Sequence, residues 1–252
     1  MKRAAWALAL LVALTVSAQD PRRSGFDFMG ASTQALQRDD TLNPAFLWIK
    51  DGEARWARSD SPSSPSCASC HGDAAVSMRG VAARHPAWDE ALKRPLNLAQ
   101  RINVCRERRQ GLPPLAYESE GLLALEAFVG HQSRGLPLAP PADARLAPQV
   151  EQGRRLYSTP IGQLDLACHM CHDRHAGQHL AGNAIPQAHA TAYPLYRLEW
   201  QGLGSLQRRL RNCMTGVRAE PYAFGAPEFV ALELYLARRA AGMIVETPGV
   251  RP

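Results

Sequence analysis

Cys67-Ala-Ser-Cys70-His71 and Cys168-His-Met-Cys171-His172 repeat one five-residue pattern within a single chain. In each copy two thiols stand three positions apart, and a histidine directly follows the second thiol. This C-x-x-C-H pattern is typical of covalent haem attachment, in which both thiols bond to one haem and the histidine ligates its iron. The sequence therefore predicts two covalently attached c-type haems, bound by four cysteines and two axial histidines: Cys67, Cys70, Cys168, Cys171, His71 and His172.

The two patterns belong to a longer internal repeat. Residues 52–70 align with residues 153–171 at a constant offset of 101, which places Gly52 over Gly153 and Trp56 over Tyr157. Residues 98–105 align with residues 206–213 at an offset of 108, and residues 125–129 with residues 232–236 at an offset of 107. Such repetition indicates a duplicated unit. It predicts a mainly α fold built as a tandem duplication of two cytochrome c-like domains.

The beginning of the chain predicts export. Met1-Lys2-Arg3 precedes an apolar stretch over residues 4–14 and the small residues 15–18, as in a cleaved signal peptide. The apolar run is shorter than the roughly 18 residues that a membrane-spanning helix needs. We therefore expect a signal peptide over residues 1–18, a periplasmic protein and no membrane span. A thioredoxin-like redox pair would not require a histidine directly after the second cysteine, and a zinc ribbon would not require export, so both patterns favour haem attachment.

Proline and apolar patterning divide the remaining chain. The proline-rich stretch near residues 135–148 predicts a linker over residues 136–148. This linker would separate an N-terminal cytochrome c domain over residues 19–135, with the first haem, from a C-terminal domain over residues 149–252, with the second haem and the active site. Apolar residues spaced along 122–128 and 229–236 predict a helix that closes each domain.

Composition and charge narrow the class of protein. The chain has 252 residues, of which 46% are hydrophobic and 21% charged, with a formal net charge of +6. These values are typical of a globular protein and argue against a disordered or polytopic membrane protein. The basic residues are scattered among acidic ones, and no basic run is interleaved with aromatic residues, so we expect no nucleic-acid partner.

Two cysteines remain outside the haem patterns, Cys105 and Cys213, and they occupy equivalent positions in the two repeats. Equivalent positions should serve equivalent roles, which favours each thiolate as the second axial ligand of its own haem. A disulfide between them is the alternative that an oxidising compartment permits. Other ligand candidates stay open, namely His85 and His131 in the first domain, and Met214, Met243, His175, His179 and His189 in the second; Met78 lies too near His71 to reach the opposite face.

The sequence resembles the SoxA family of dihaem cytochrome subunits of the periplasmic thiosulfate-oxidising system. The resemblance rests on Cys67-Ala-Ser-Cys-His-Gly72, Arg101-Ile-Asn-Val-Cys105-Arg106, the second C-x-x-C-H, Arg209-Leu-Arg-Asn-Cys213-Met214 and Val217-Arg-Ala-Glu-Pro221. It covers nearly the whole chain after residue 18. Some members of that family lack the first haem, whereas this sequence retains Cys67, Cys70, His71 and Cys105.

The resemblance implies an activity and its partners. With a SoxX-like monohaem cytochrome as the other half of a heterodimer, the family oxidatively joins thiosulfate to a cysteine of a SoxYZ-type sulfur-carrier protein. The product is a cysteine S-thiosulfonate, and two electrons pass to c-type haems. Cys213 would be both the axial ligand of the second haem and the catalytic cysteine, carried as a persulfide, while Arg209 would bind the substrate anion.

The residues around Cys213 agree with those implied roles. Thiosulfate is a small dianion, and a guanidinium offers it a fixed fork of donors and a permanent charge. Arg209 precedes Cys213 by four positions, which puts both on one face of a helix. Arg208, Arg211 and Arg218 add charge nearby, although a helix cannot direct all four arginines inward.

Two other classes of protein serve as alternatives. A dihaem electron-transfer cytochrome without sulfur chemistry would require a methionine for each haem and no reactive sulfur. A dihaem peroxidase would require an open or displaceable site with acid and base residues beside it, and nothing in the sequence marks one.

Overall fold

The structure is a computed structural model that describes residues 20–252. The predicted signal peptide over residues 1–18 lies outside the described residues. Within them the fold is mainly helical, as predicted, with ten α-helices: α1 (Ala31–Arg38), α2 (Phe46–Ala57), α3 (Cys67–His71), α4 (Ala74–Ser77), α5 (Leu98–Cys105), α6 (Glu120–His131), α7 (Ala147–Ser158), α8 (Cys168–His172), α9 (Leu206–Gly216) and α10 (Pro227–Arg239). The closing helices predicted over 122–128 and 229–236 are confirmed as parts of α6 and α10.

Short strands complete the fold. Two antiparallel hairpins pair β1 (Ala87–Asp89) with β2 (Arg94–Leu96), and β3 (His179–Leu180) with β4 (Asn183–Ala184). A third sheet has β5 (Leu195–Arg197) at its centre, antiparallel to β6 (Gly202–Gly204) and parallel to β7 (Gly249–Arg251). No helix among residues 20–252 has the length and apolar character needed to cross a membrane.

The duplication is visible as matching structural units. In each half a hairpin leads into a helix that carries one of the extra cysteines: β1, β2 and α5 in the first half, and β5, β6 and α9 in the second. Equivalent residues cap the two helices, because Asn97 Oδ1 accepts from the Gln100 amide at 2.9 Å and Ser205 Oγ accepts from the Arg208 amide at 3.1 Å. Side-chain caps of this kind fix where a helix begins.

The repeated glycines explain how the helices pack. A side chain at Gly52 would collide with the carbonyl of Ala124 on α6, and one at Gly153 would collide with the carbonyl of Ala231 on α10. Glycine therefore lets α2 approach α6, and α7 approach α10, at backbone contact distance. The two glycines align in the repeat because each half packs its two helices through the same close contact between a glycine and a backbone carbonyl.

The two halves are joined by more than the chain between them. The Val250 amide donates to Gln37 Oε1 at 3.0 Å, and Asn43 Nδ2 donates to the Pro248 carbonyl at 3.1 Å, so the C-terminal strand packs against α1 and the turn after it. The stretch predicted as a linker is packed: the Leu138 amide bonds to the Met243 carbonyl at 2.8 Å, and Leu146 is fully buried. The domain boundaries stay a prediction.

Candidate active site

Each haem-attachment pattern forms a short helix that is anchored by the aromatic residue of its repeat. Trp56 Nε1 donates to the carbonyl of Gly72, directly after the first pattern, at 3.2 Å. Its repeat equivalent Tyr157 donates its hydroxyl to Asp173, directly after the second pattern, at 2.8 Å. A ring that carries one polar donor can fill the core and still satisfy a hydrogen bond. The aromatic residue therefore holds each pattern against the helix pair behind it.

His172 is oriented by a backbone carbonyl. Its Nδ1 lies 2.7 Å from the Pro186 carbonyl oxygen, which only accepts, so Nδ1 carries the proton and donates it. The opposite nitrogen, Nε2, is then the basic atom of the ring. Orientation by a second hydrogen bond of this kind is usual for histidines that ligate a metal.

Cys213 on α9 faces His172. Its thiol lies within hydrogen-bonding reach of the His172 imidazole. Burial raises the pKa of the thiol, but the His172 hydrogen bond and the charges of Arg209 and Arg197 outweigh that effect, so the pKa of Cys213 lies below its ordinary value. The second pattern and the second extra cysteine thus converge, although they are far apart in sequence.

A cavity of about 160 Å³ opens beside these two residues. His172, Cys213 and Arg209 all line it, and the rest of its wall is largely apolar, including Phe28, Met29, Leu195, Leu206, Leu210 and Leu236. The oriented imidazole, the facing thiol and the largely apolar wall, with Cys168 and Cys171 on the same short helix as His172, provide donors and surroundings that suit a c-type haem. The residues of the second half therefore fit this group.

One of the four clustered arginines reaches that cavity. Arg209 lines it, whereas Arg208 stacks over Trp200 at 4.3 Å and Arg211 lies over Phe224 at 4.7 Å. Arg218 is exposed at the surface. The i, i+4 spacing of Arg209 and Cys213 thus corresponds to a shared position in the structure.

Sequence reasoning missed a second arginine, Arg197 at the end of β5. It lines the same cavity, is only 7% exposed, and acts with Arg209 on the electrostatics of Cys213. Burial, and then the nearby Arg209 charge, lower the pKa of Arg197. Arg251 on β7 also lines the cavity, where Glu246 pairs with it at 3.2 Å.

The first half lacks this charge arrangement. There Arg101, the repeat equivalent of Arg209, forms a 2.8 Å salt bridge with the buried Asp89, which is the repeat equivalent of Arg197. In the second half an arginine replaces that carboxylate, and no salt bridge found among residues 20–252 involves Arg209. Arg209 is therefore free to bind an external anion, whereas Arg101 is neutralised. The sequence alignment of the two repeats contains this signal, because it places Asp89 over Arg197 and so an acidic residue over a basic one in otherwise matching hairpins.

The first haem-attachment pattern is arranged less tightly. Cys67 lies near Cys105, and burial raises the pKa of the Cys67 thiol. His71 is exposed, with its ring 5.6 Å from that of Trp56. The cavity beside Cys67 measures only about 10 Å³. Cys67 and Cys105 are thus brought together, but neither His71 nor Cys105 lines this small cavity, whereas His172 and Cys213 both line the cavity of the second half.

The other ligand candidates lie in several environments. All six cysteines lie within residues 20–252 and none of them forms a disulfide there, so no Cys105–Cys213 bridge is present. The three methionines pack in hydrophobic clusters: Met78, Met214 and Met243. His131 packs edge-on against Phe46. His85 Nδ1 lies 2.8 Å from the Val81 carbonyl, and His189, which lines the second-half cavity, has its Nδ1 2.9 Å from the Arg23 carbonyl. Both contacts are of the same kind as that of His172, so they leave Nε2 available and both histidines stay open as ligands.

Comparison with known proteins places these features in a family. The family model described as "SoxA/TsdA, cytochrome c domain" matches residues 51–138 and 152–245, one match in each half. The L-cysteine S-thiosulfotransferase subunit SoxA of Pseudaminobacter salicylatoxidans is 39% identical over 234 residues, covering 92% of this chain and 82% of that protein. The corresponding subunit of Rhodovulum sulfidophilum is 36% identical over 232 residues, covering 92% and 81%.

A solved structure agrees with these sequence relatives. The crystal structure of SoxXA from P. pantotrophus superposes with a TM-score of 0.88 at 34% identity, covering 92% of this chain and 87% of that chain. A match of this extent, together with the paired family matches, confirms the predicted tandem cytochrome c fold.

Proposed function

The chain belongs to the SoxA family of c-type cytochromes, and we propose from this membership how its residues join thiosulfate to a protein cysteine. It is an L-cysteine S-thiosulfotransferase subunit that carries covalently bound c-type haem. In the overall reaction the acceptor cysteine loses its thiol proton, one sulfur–sulfur bond forms to the sulfane sulfur of thiosulfate, and two electrons leave. The product is a cysteine S-thiosulfonate.

Two haems would be bound, one in each half. Cys67 and Cys70 would attach the first, and His71 and Cys105 would ligate its iron. Cys168 and Cys171 would attach the second, and His172 and Cys213 would ligate its iron. The haems supply an acceptor for the two electrons of the reaction. The second assignment is supported by the oriented His172 ring and by the thiol of Cys213 that faces it.

Arg209 would bind and orient thiosulfate beside Cys213. A dianion entering the apolar cavity loses hydration, and a charged guanidinium with free donors compensates for that loss. The absence of a carboxylate partner for Arg209 among the salt bridges of residues 20–252 supports this role. The same bound position would bring the sulfane sulfur toward the sulfur of Cys213.

Cys213 would form the first covalent bond. Its terminal sulfur, carried in the resting protein as a persulfide, would bond to the sulfane sulfur of thiosulfate as two electrons leave. The thiolate of the carrier cysteine would then attack that same sulfane sulfur. The bond between the sulfane sulfur and the terminal persulfide sulfur breaks, its electron pair returns to that terminal sulfur, the persulfide on Cys213 is regenerated, and the thiosulfonate leaves on the carrier. No atom of the protein is consumed.

The partners and location follow from the same assignment. We propose a SoxX-like monohaem cytochrome as the other subunit, because the matching structure is a SoxXA complex. A SoxYZ-type protein would present the acceptor cysteine. We further propose a periplasmic protein after removal of residues 1–18, with haem domains over residues 19–135 and 149–252 and a linker over residues 136–148.

The observation that carries this proposal is the meeting at one cavity of His172, Cys213 and Arg209, which forms no salt bridge within residues 20–252. To test it, the haem-loaded protein with its cytochrome partner is mixed with thiosulfate and a carrier protein that has one cysteine. Intact mass spectrometry should show a thiosulfonate on that cysteine, formed only when an electron acceptor is present. Haem reduction without any adduct would instead support the electron-carrier alternative.

A further inference from the structure

The last residue of the first hairpin strand is acidic in one half of the fold and basic in the other. Asp89 ends β1 and Arg197 ends β5, and each stands in the same register of its hairpin, opposite Arg94 and Gly202 respectively. Both side chains are buried, at 6% and 7% exposure. Buried charges are costly unless they are paired, so each must have a counter-charge or a ligand of opposite sign.

In the first half the counter-charge is internal. Asp89 pairs with Arg101 on α5 at 2.8 Å and also accepts from the Leu92 amide at 2.7 Å. The Arg101 charge and these hydrogen bonds outweigh burial and hold the pKa of Asp89 below its ordinary value. The site is therefore electrically complete without any external group.

In the second half no carboxylate stands at the end of β5 to pair with the arginine on α9, and no salt bridge found among residues 20–252 involves Arg209. Arg197 itself donates through Nε to a main-chain oxygen of Pro252, the last residue of the printed sequence, at 2.9 Å and pairs through Nη2 with Glu199, also at 2.9 Å. The Glu199 side chain is 63% exposed, so water weakens this pair. Arg197 and Arg209 thus line one cavity together with Arg251, whose charge is paired with Glu246.

We propose that Arg197 determines which half of the duplicated fold binds thiosulfate. It acts with Arg209 as the second cation of the anion site. It also occupies the position that Asp89 occupies in the first half, where the carboxylate neutralises Arg101. A dianion matches two guanidiniums better than one. This inference rests on the proposed function of Arg209 and adds the residue that leaves Arg209 available.

Substitutions at Arg197 should impair thiosulfate turnover in a specific order. Arg197→Gln removes one charge and should lower kcat/KM for thiosulfate about tenfold, as for the loss of one charge-assisted partner. Arg197→Asp also recreates the first-half arrangement, in which a carboxylate pairs with the α9 arginine. It should therefore lower kcat/KM by about a further tenfold or more, mostly through KM. Arg197→Lys keeps the charge and should retain most of the activity.

The experiment uses the haem-loaded protein with its cytochrome partner and measures initial rates over a range of thiosulfate concentrations. Arg174→Asp is the matched control, because it makes the same change of net charge at an exposed position of the same half. Haem absorbance and the urea unfolding midpoint report whether each variant is folded. In the first half the equivalent position already holds a buried carboxylate, that of Asp89.

The outcomes separate this inference from the proposed function. If Arg197→Asp is impaired well beyond Arg197→Gln while Arg174→Asp keeps the wild-type KM, the inference holds. Equal kinetics for the Asp and Gln variants, or wild-type kinetics for both, would overturn it while leaving the role of Arg209 intact. If Arg197→Asp does not fold, wild-type kinetics of Arg197→Gln alone overturn it. Lack of thiosulfate turnover by the wild-type protein would instead reject the proposed function.

Discussion

Replacing Arg209 by alanine isolates the anion-binding part of the site. The side chain lines the cavity beside Cys213, and no salt bridge found among residues 20–252 involves it. Its removal should therefore leave the fold intact. Loss of one charged hydrogen-bonding partner from a bound anion costs about 1.5–3 kcal/mol, or roughly a ten- to over hundredfold loss in kcat/KM for thiosulfate. Because Arg197 remains, some binding should persist.

The assay follows thiosulfate-dependent turnover at saturating carrier protein, with haem absorbance recorded for each preparation. Arg208→Ala is the matched control, since it removes the same charge one position earlier on α9 but from a side chain that stacks on Trp200 outside the cavity. Arg209→Lys should rescue only part of the activity, because an ammonium lacks the planar fork. If Arg209→Ala kept the wild-type kcat/KM, or if Arg208→Ala lost as much, the reasoning would be refuted.

Three other perturbations test the ligands, the packing and the buried charges. Cys105→Ala should change the spectrum of the first haem and leave that of the second unchanged; a Cys105–Cys213 disulfide found by alkylation and intact mass in the wild-type protein would reject this ligand assignment. Gly153→Ala should lower the free energy of unfolding in urea by about 1–3 kcal/mol, because the added methyl overlaps the Ala231 carbonyl. Gly216→Ala is the control and should cause no loss, because the space around Gly216 is open. Equal stability of the two variants would contradict the proposed packing of α7 on α10. Burial raises the pKa of Glu126 from 4.5 to about 8, so the free energy of unfolding should fall as pH rises through that range. Glu126→Gln should reduce this fall in the free energy of unfolding, measured with urea at several pH values. An unchanged pH dependence would show that Glu126 ionises normally.

The repeat made much of the fold predictable. Two C-x-x-C-H patterns, with Gly52 and Gly153 in register, indicated a duplicated helical unit, and the structure shows why: the same glycine contact and the same aromatic anchor recur. Periodic apolar residues also indicated α6 and α10, because a helix that closes a core buries one face in a regular pattern. These features are local or strictly repeated.

The parts that were not predictable depend on contacts between distant segments. Arg197 reads as an ordinary strand residue, and only the pairing of β5 with β6 and the approach of α9 bring it to Cys213. The packing of Gln37 against Val250 joins residues more than 200 positions apart. Arg208 and Arg209 are the same type of residue and adjacent in sequence. One step along a helix turns a side chain by about 100°, which directs Arg208 out of the cavity that Arg209 lines.

The central claim is that the sulfur of Cys213 takes part in the reaction, and Cys213→Met tests it most directly. Methionine can ligate iron but cannot carry a displaceable sulfur. The variant should fold, keep haem attached through Cys168 and Cys171, and fail to transfer thiosulfate to the carrier cysteine. The repeat-equivalent variant Cys105→Met, measured in the same assay with carrier and cytochrome partner, should retain transfer. Wild-type transfer by Cys213→Met would show that Cys213 is an axial ligand only.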